Sequence, residues 1–255
     1  MHMKKLFRTI ILFLAAVVAV SCSHEADEAA GPSHRETVQF AVGAFPAFES
    51  RQTRTIGVPD EGKTEWTEGD KILVSLTSSK FGKQYATLVY GSSGWNVKDG
   101  KSLFCLEGEQ PTATATYAPD YVWMNGSMML KDGKVEGTDE YFSADCTVNG
   151  NQIEISFKDV GRKYSRLRIA TMKNTDITVV AENFTPVNGG MEYNTSYTLT
   201  SDDKGNAYLY GTFVKNTGFT VKYKGSSLTS HTFSATMENG KSYALDATVV
   251  SLVDK

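Results

Sequence analysis

Histidine is scarce in this chain and poorly placed for chemistry. The four are His2, His24, His34 and His231, and only the last falls in a region patterned for folding. His231 has no Cys, Asp or Glu at metal-ligand spacing, which excludes a zinc-type centre built around it. The chain also lacks a Gly-x-Ser-x-Gly elbow, a His-Glu-x-x-His helix and a phosphate-cradling Gly-rich loop. Acidic pairs such as Asp139-Glu140 and Asp202-Asp203 carry no sign of converging in a cleft, so they read as solvated turns. No stretch sustains a helical period, and no apolar run reaches the roughly 20 residues of a spanning helix. Basic excess is missing too: the net charge of −3 excludes a polyanion binder and leaves no nucleic-acid partner to expect. No catalytic residue, metal or cofactor is expected.

What is present begins with a leader. Lys4, Lys5 and Arg8 precede the apolar run Ile10 to Val20, which is too short to span a bilayer and reads as a secretory signal. Ala19-Val20-Ser21-Cys22 resembles a bacterial lipobox, in which cleavage makes a lipid-bearing cysteine the new N-terminus. Cys22 is therefore the expected lipidation site. Losing the leader removes three basic residues and takes the net charge from −3 to −6. Ser23, Glu25, Asp27 and Glu28 resemble the acidic signal that directs some lipoproteins to the outer surface, or else form a plain acidic linker. The organisation expected is a signal over 1–21, a tether over 22–35, one domain over 36–162 and a second over 163–255.

From Thr37 the pattern has period two. Val38, Phe40, Val42 and Ala44 alternate with polar or small residues, as do Ile72, Val74 and Leu76, then Ile153, Ile155 and Phe157. Asp99-Gly100, Asp132-Gly133, Asn149-Gly150 and Asn239-Gly240 supply the turn chemistry of tight hairpins. Many short strands at this spacing predict an all-β, antiparallel sandwich or barrel, and the length predicts two in tandem.

Cys105 and Cys146 are either a disulfide, as an oxidising compartment allows, or two free thiols. Tyr117, Tyr121 and Trp123, beside Pro119, are possible ligand contacts if they are exposed, or core rings if they are not. In Arg162-Lys163-Tyr164-Ser165-Arg166-Leu167-Arg168, alternation puts Arg166 and Arg168 on one face, read as a solvated strand face.

Arg51-Gln52-Thr53-Arg54-Thr55 is followed by Trp66-Thr67-Glu68-Gly69-Asp70-Lys71-Ile72. Ile153-Glu154-Ile155-Ser156-Phe157 and Asn239-Gly240-Lys241-Ser242-Tyr243 come later. In this order the motifs resemble the fimbrillin family of Mfa-like type V pilus lipoproteins, although Asp159 stands where the family often has histidine. The resemblance implies two transthyretin-like β-sandwich domains and export as a lipoprotein to the outer membrane, with surface exposure in a fimbrium. It also implies trimming by an Arg-specific protease, with Arg54 the preferred cut site and Arg51 the second. Trp66, Gly69 and Asp70 would be structural signature residues. The partners implied are other pilus subunits joined by strand exchange, the outer membrane through the lipid, and host or bacterial surface ligands. Val38 to Ala44 would be the strand removed, and Tyr243 to Val253 a candidate donor or else a strand of its own domain. The alternative function is a monomeric cell-surface glycan-binding lipoprotein using Tyr117, Tyr121 and Trp123.

Overall fold

Period-two runs settle as strands wherever one face meets a core. The computed structural model describes residues 34–50, 63–157, 162–189 and 195–248. In chain order the first strands are β1 (Arg35–Thr37), β2 (Gln39–Val42), β3 (Glu49–Ser50), β4 (Lys71–Ser78), β5 (Gly82–Gly91) and β6 (Gly94–Val97). There follow β7 (Phe104–Leu106), β8 (Thr112–Tyr117), β9 (Tyr121–Met124), β10 (Ser127–Leu130), β11 (Phe142–Asn149) and β12 (Gln152–Ser156). The rest are β13 (Ser165–Ala170), β14 (Asp176–Pro186), β15 (Thr195–Thr200), β16 (Asn206–Tyr223), β17 (Ser226–Thr232) and β18 (Lys241–Asp246). Among the described residues the one helical piece is a 3-10 turn at Lys98–Gly100, so the fold is all-β.

The first sheet runs β2-β12-β11-β8-β4-β5-β6. Its inner face carries Ile72, Val74, Leu76, Leu88, Ala115, Tyr117, Ile153 and Ile155, all buried in one core. Strands β2 and β6 lie at opposite ends of the order yet touch, so the sheet curls round that core. A separate ribbon of β1 and β7 adds Cys105 and, just before it, Leu103. The hairpin β9–β10 turns through Asn125 and Gly126, both at positive φ (51° and 78°), the backbone that a tight two-residue turn requires. Tyr121, Trp123, Met128 and Leu130 of that hairpin cover Leu73, which points away from the main core.

The second sheet runs β15-β14-β16-β13-β18-β3, with β17 on β16. Its strands β14 and β16 bend together part-way along their length. A bulge between Glu182 and Phe184 interrupts their register, and Asn183 and Asn216 sit at φ 55° and 70° on either side of it. Phe184, Phe213 and Phe219 pack inside the bend, with Phe184 and Phe213 rings 4.9 Å apart. Close approach of the backbones there needs glycine at 211, where a Cβ would stand 2.3 Å from the Thr185 carbonyl oxygen and 2.4 Å from the Phe184 ring. Gly211→Ala should therefore cost about 2–4 kcal/mol, read as a lower urea midpoint at unchanged slope.

Three local readings change. Ala44 is exposed: strand β2 ends at Val42, and Phe45 takes the next inward place. Arg166 is 3% exposed and Arg162 7%, while Arg168 is half-buried and Lys163 exposed, so the face of Arg166 and Arg168 is not simply solvated. Glu140 is buried as well, at 6%, and Asp139-Glu140 is not a solvated turn.

Candidate functional site

The segment 34–50 belongs to both sheets, and its contacts define the site. Strand β1 pairs with β7, setting Glu36 opposite Cys105, and the Arg35 guanidinium lies 3.4 Å from the Phe104 ring centroid. Strand β2 runs parallel to β12, with Phe40 opposite Ile153 and Val42 opposite Ile155. Among the described residues β2 has no other strand partner, so it is the edge of the first sheet. Val38 is buried beneath it, while Phe40 and Val42 lie half-buried on the core. After Gly43 the chain crosses to the second sheet, where β3 pairs in parallel with β18. Phe45 and Phe48, on the crossing, are 6% and 3% exposed.

Trp66 clasps this segment. Its indole N–H donates to the Gly43 carbonyl at 2.8 Å, one residue beyond the end of β2. Its ring meets Phe45, Trp95, Tyr117 and Phe157 at centroid distances of 4.8–5.4 Å. The neighbouring turn is closed by Asp70, whose carboxylate accepts from the Thr67 backbone N–H at 2.7 Å and the Tyr117 hydroxyl at 3.1 Å. Lys63 forms an ion pair with Asp70 and donates to the Tyr117 hydroxyl at 3.1 Å. Gly69 supplies positive φ (92°) and donates its N–H to the Tyr90 carbonyl. Burial first, then the Asp70 carboxylate, pushes the Tyr117 hydroxyl well above its ordinary range, so it remains a donor. Trp66→Phe, which keeps a ring and deletes the N–H, should lower stability by about 1 kcal/mol in chemical denaturation, and Trp66→Ala by about 3–5 kcal/mol.

The second clasp is the buried ion pair at the crossing. Arg162 Nε and Nη2 donate to Glu140 Oε2 at 3.0 and 2.7 Å, and Nη1 donates to the Pro46 carbonyl. The Tyr164 hydroxyl donates to the same carboxylate oxygen at 3.0 Å. Beside it, burial raises the Asp139 carboxyl to about 6, helped by the nearby Asp120 and Glu140 charges and opposed by the Glu140 backbone N–H and Lys134. A carboxyl raised in the folded state alone makes stability fall as pH climbs from about 3.8 to about 6 and stay low above that. Asp139→Asn should remove this slope and add about 2 kcal/mol at pH 8, with little change at pH 4, in unfolding curves taken across that range.

The other singled-out residues fall as follows. Cys105 is buried on β7 and Cys146 half-buried on β11, strands that are not neighbours, and both are free thiols, so the disulfide alternative is not formed. Burial raises both thiols, Cys146 to about 11, which keeps them protonated at neutral pH. Tyr117, Tyr121 and Trp123 form no common exposed platform. Tyr117 lies in the first core and Tyr121 in the cluster under the β9–β10 hairpin. Trp123 is half-buried, bonded to the Ala86 carbonyl and packed on Tyr85 at 4.6 Å, beside a cleft of about 330 Å³ that Lys98 and Lys101 also line. A second cleft, of about 360 Å³, is lined by Tyr141, Phe142, Lys163, Tyr164 and Asn188 among others. His231 is exposed against Phe233, and no metal-ligating cluster occurs among the described residues. The described part of the candidate donor, β18, lies between β13 and β3 with Leu245 buried in its own core. Cys22, Arg51, Arg54 and residues 249–255 lie outside the described residues.

No family model matches this chain, and no curated protein does. Among solved structures it is similar to a candidate cell adhesion protein of Bacteroides fragilis NCTC 9343. That match has 11% identity and a TM-score of 0.42, covering 86% of this chain and 95% of the other. It is also similar to the TIE protein of Bacillus anthracis (15% identity, TM-score 0.22, covering 72% of this chain and 31% of that one). A third is a leucine-rich repeat protein of Bacteroides thetaiotaomicron VPI-5482 (15% identity, TM-score 0.20, covering 84% and 26%). At these scores the matches set neither a family nor an activity.

Proposed function

We propose that this protein is a non-enzymatic, lipid-anchored surface subunit that joins others of its kind by strand exchange. The observation that carries this reading is the position of residues 34–50. The segment supplies the edge strand of one sheet and reaches the edge of the other. It is followed directly by a stretch holding Arg51 and Arg54. One cut there severs β1, β2 and β3 together from the body. Their departure bares the backbone edge of β12 and the cavities of Val38, Phe45 and Phe48. An incoming strand restores the hydrogen bonds of the edge and buries alternate side chains in those cavities. Cys22 would hold the uncut precursor at the outer membrane by its lipid, the cut would free the body from that anchor, and the assembled product would be a pilus-like polymer with an adhesive or structural role.

Treatment of the leaderless protein with a trypsin-like Arg-specific protease tests the reading. The expected product begins at residue 52 or 55, has lost the segment 34–50, and forms ladders in unboiled, non-reducing electrophoresis. The double variant Arg51→Ala/Arg54→Ala should stay uncut in that stretch and monomeric. A trimmed protein that stays monomeric at all concentrations would sink the polymer reading and favour a monomeric glycan-binding lipoprotein.

A further inference from the structure

Phe48 sits where guanidinium groups press hardest on the segment. Val38, Phe45 and Phe48 all belong to the first core, and Phe45 has the Lys63 Nζ 5.3 Å and the Arg162 carbon 5.5 Å from its ring centroid. Phe48, 3% exposed, has two guanidinium groups against it, the nearer of them closer than either cation is to Phe45. The Arg162 carbon stands 3.8 Å from its ring centroid and the Arg166 carbon 5.1 Å. The rings of Tyr164 and Tyr210 complete the surround at 6.0 and 6.3 Å. Each cation has a hydrogen-bond partner on the body. Glu140 takes two bonds from Arg162, and Ser242 Oγ on β18 accepts from Arg166 Nε at 3.0 Å. The segment adds the Pro46 carbonyl, which accepts from Arg162 Nη1.

We propose that this socket is the specificity site of the exchange: it admits a strand carrying a flat aromatic side chain at the position of Phe48 and discriminates against an aliphatic one. The inference rests on the strand-exchange reading. Because the Arg162–Glu140 pair and the Arg166–Ser242 bond do not depend on the segment, the socket stays assembled when the segment leaves. A desolvated guanidinium is attracted to the negative face of an aromatic ring, an interaction an aliphatic side chain of equal size does not offer. Hydrophobic burial alone cannot distinguish the two. The partner defined by this chemistry has alternating apolar residues, then an aromatic one six residues past the end of the alternation, as Phe48 follows Val42 here.

The test uses the full leaderless chain with a specific protease site introduced within 51–62. After nicking, the severed segment is exchanged for fluorescent peptides of residues 34–50, and half-saturating concentrations are compared. The native peptide should exchange in. A peptide with cyclohexylalanine at position 48, matching the ring in bulk but lacking its π face, should need about tenfold more, as should one with Phe48→Leu. In the Arg162→Met/Glu140→Met body, which replaces the ion pair by apolar volume, the gap should shrink to below about threefold. Equal binding of the phenylalanine and cyclohexylalanine peptides to the unsubstituted body overturns the socket and leaves strand exchange standing. Failure of every peptide to exchange, the native one included, overturns both.

Discussion

Arg162 is a cation taken almost wholly out of water, and the join between the two halves of the molecule follows from the need to pair it. A guanidinium has five N–H donors and cannot shed its charge, so a buried one demands acceptors from whatever lies near. Here they come from two separate parts of the chain: the Glu140 carboxylate and the Phe142 ring at the start of β11, and the Pro46 carbonyl and the Phe48 ring on the crossing segment. Such a pair is weak support for stability in itself, since desolvation offsets much of its attraction. Its importance is geometric. Losing Glu140 would leave an uncompensated charge, whereas losing the crossing segment leaves the ion pair and removes only the Pro46 carbonyl and the Phe48 ring.

The segment 34–50 is accordingly held more by side chains than by its ladder. Strand β1 has three register pairs on β7, β2 four on β12 and β3 two on β18, each on a single neighbour. Burying Val38, Phe45 and Phe48 is worth roughly 5–9 kcal/mol together, at about 1.5–3 kcal/mol each. While the chain is continuous that suffices, because the segment competes for its own groove at high effective concentration. Once severed, the same energy must also meet the cost of bimolecular association, which brings it into a range where a longer or better-fitted strand displaces it. A single peptide-bond cleavage thus changes the competition without altering one contact.

Much of this was legible from alternation alone. The strands through Ile72, Val74 and Leu76 and through Ile153 and Ile155 bury the residues that period two puts on one face, since a strand with one core face leaves that mark. Trp66, Gly69 and Asp70 were legible as structural residues, although not that the Trp66 indole would hold the Gly43 carbonyl. Arg162, Arg166 and Glu140 were misread, and for one reason. In a local window a charge beside a turn looks solvated, whereas the partner that keeps it dry is distant: Glu140 lies 22 residues from Arg162, and Pro46 116. The corner of β14 and β16 was hidden as well, because Asn183 and Asn216 adopt positive φ without a glycine to announce it.

The distribution of edges bears on how strand exchange would be controlled. Exposed strand edges invite pairing with another chain unless they are short, polar or covered. At one end of the first sheet, β6 is four residues long and curls against β2. On the second sheet β17 reads Ser-Ser-Leu-Thr-Ser-His-Thr and is largely exposed, offering an incoming strand little apolar surface to bury. The edge of β12 is different in kind: Ile153 and Ile155 are 0% and 1% exposed, and β2 alone covers that side of the ladder. That edge is closed by a strand that a cut at Arg51 or Arg54 would sever, so on the strand-exchange reading association would wait on that cut.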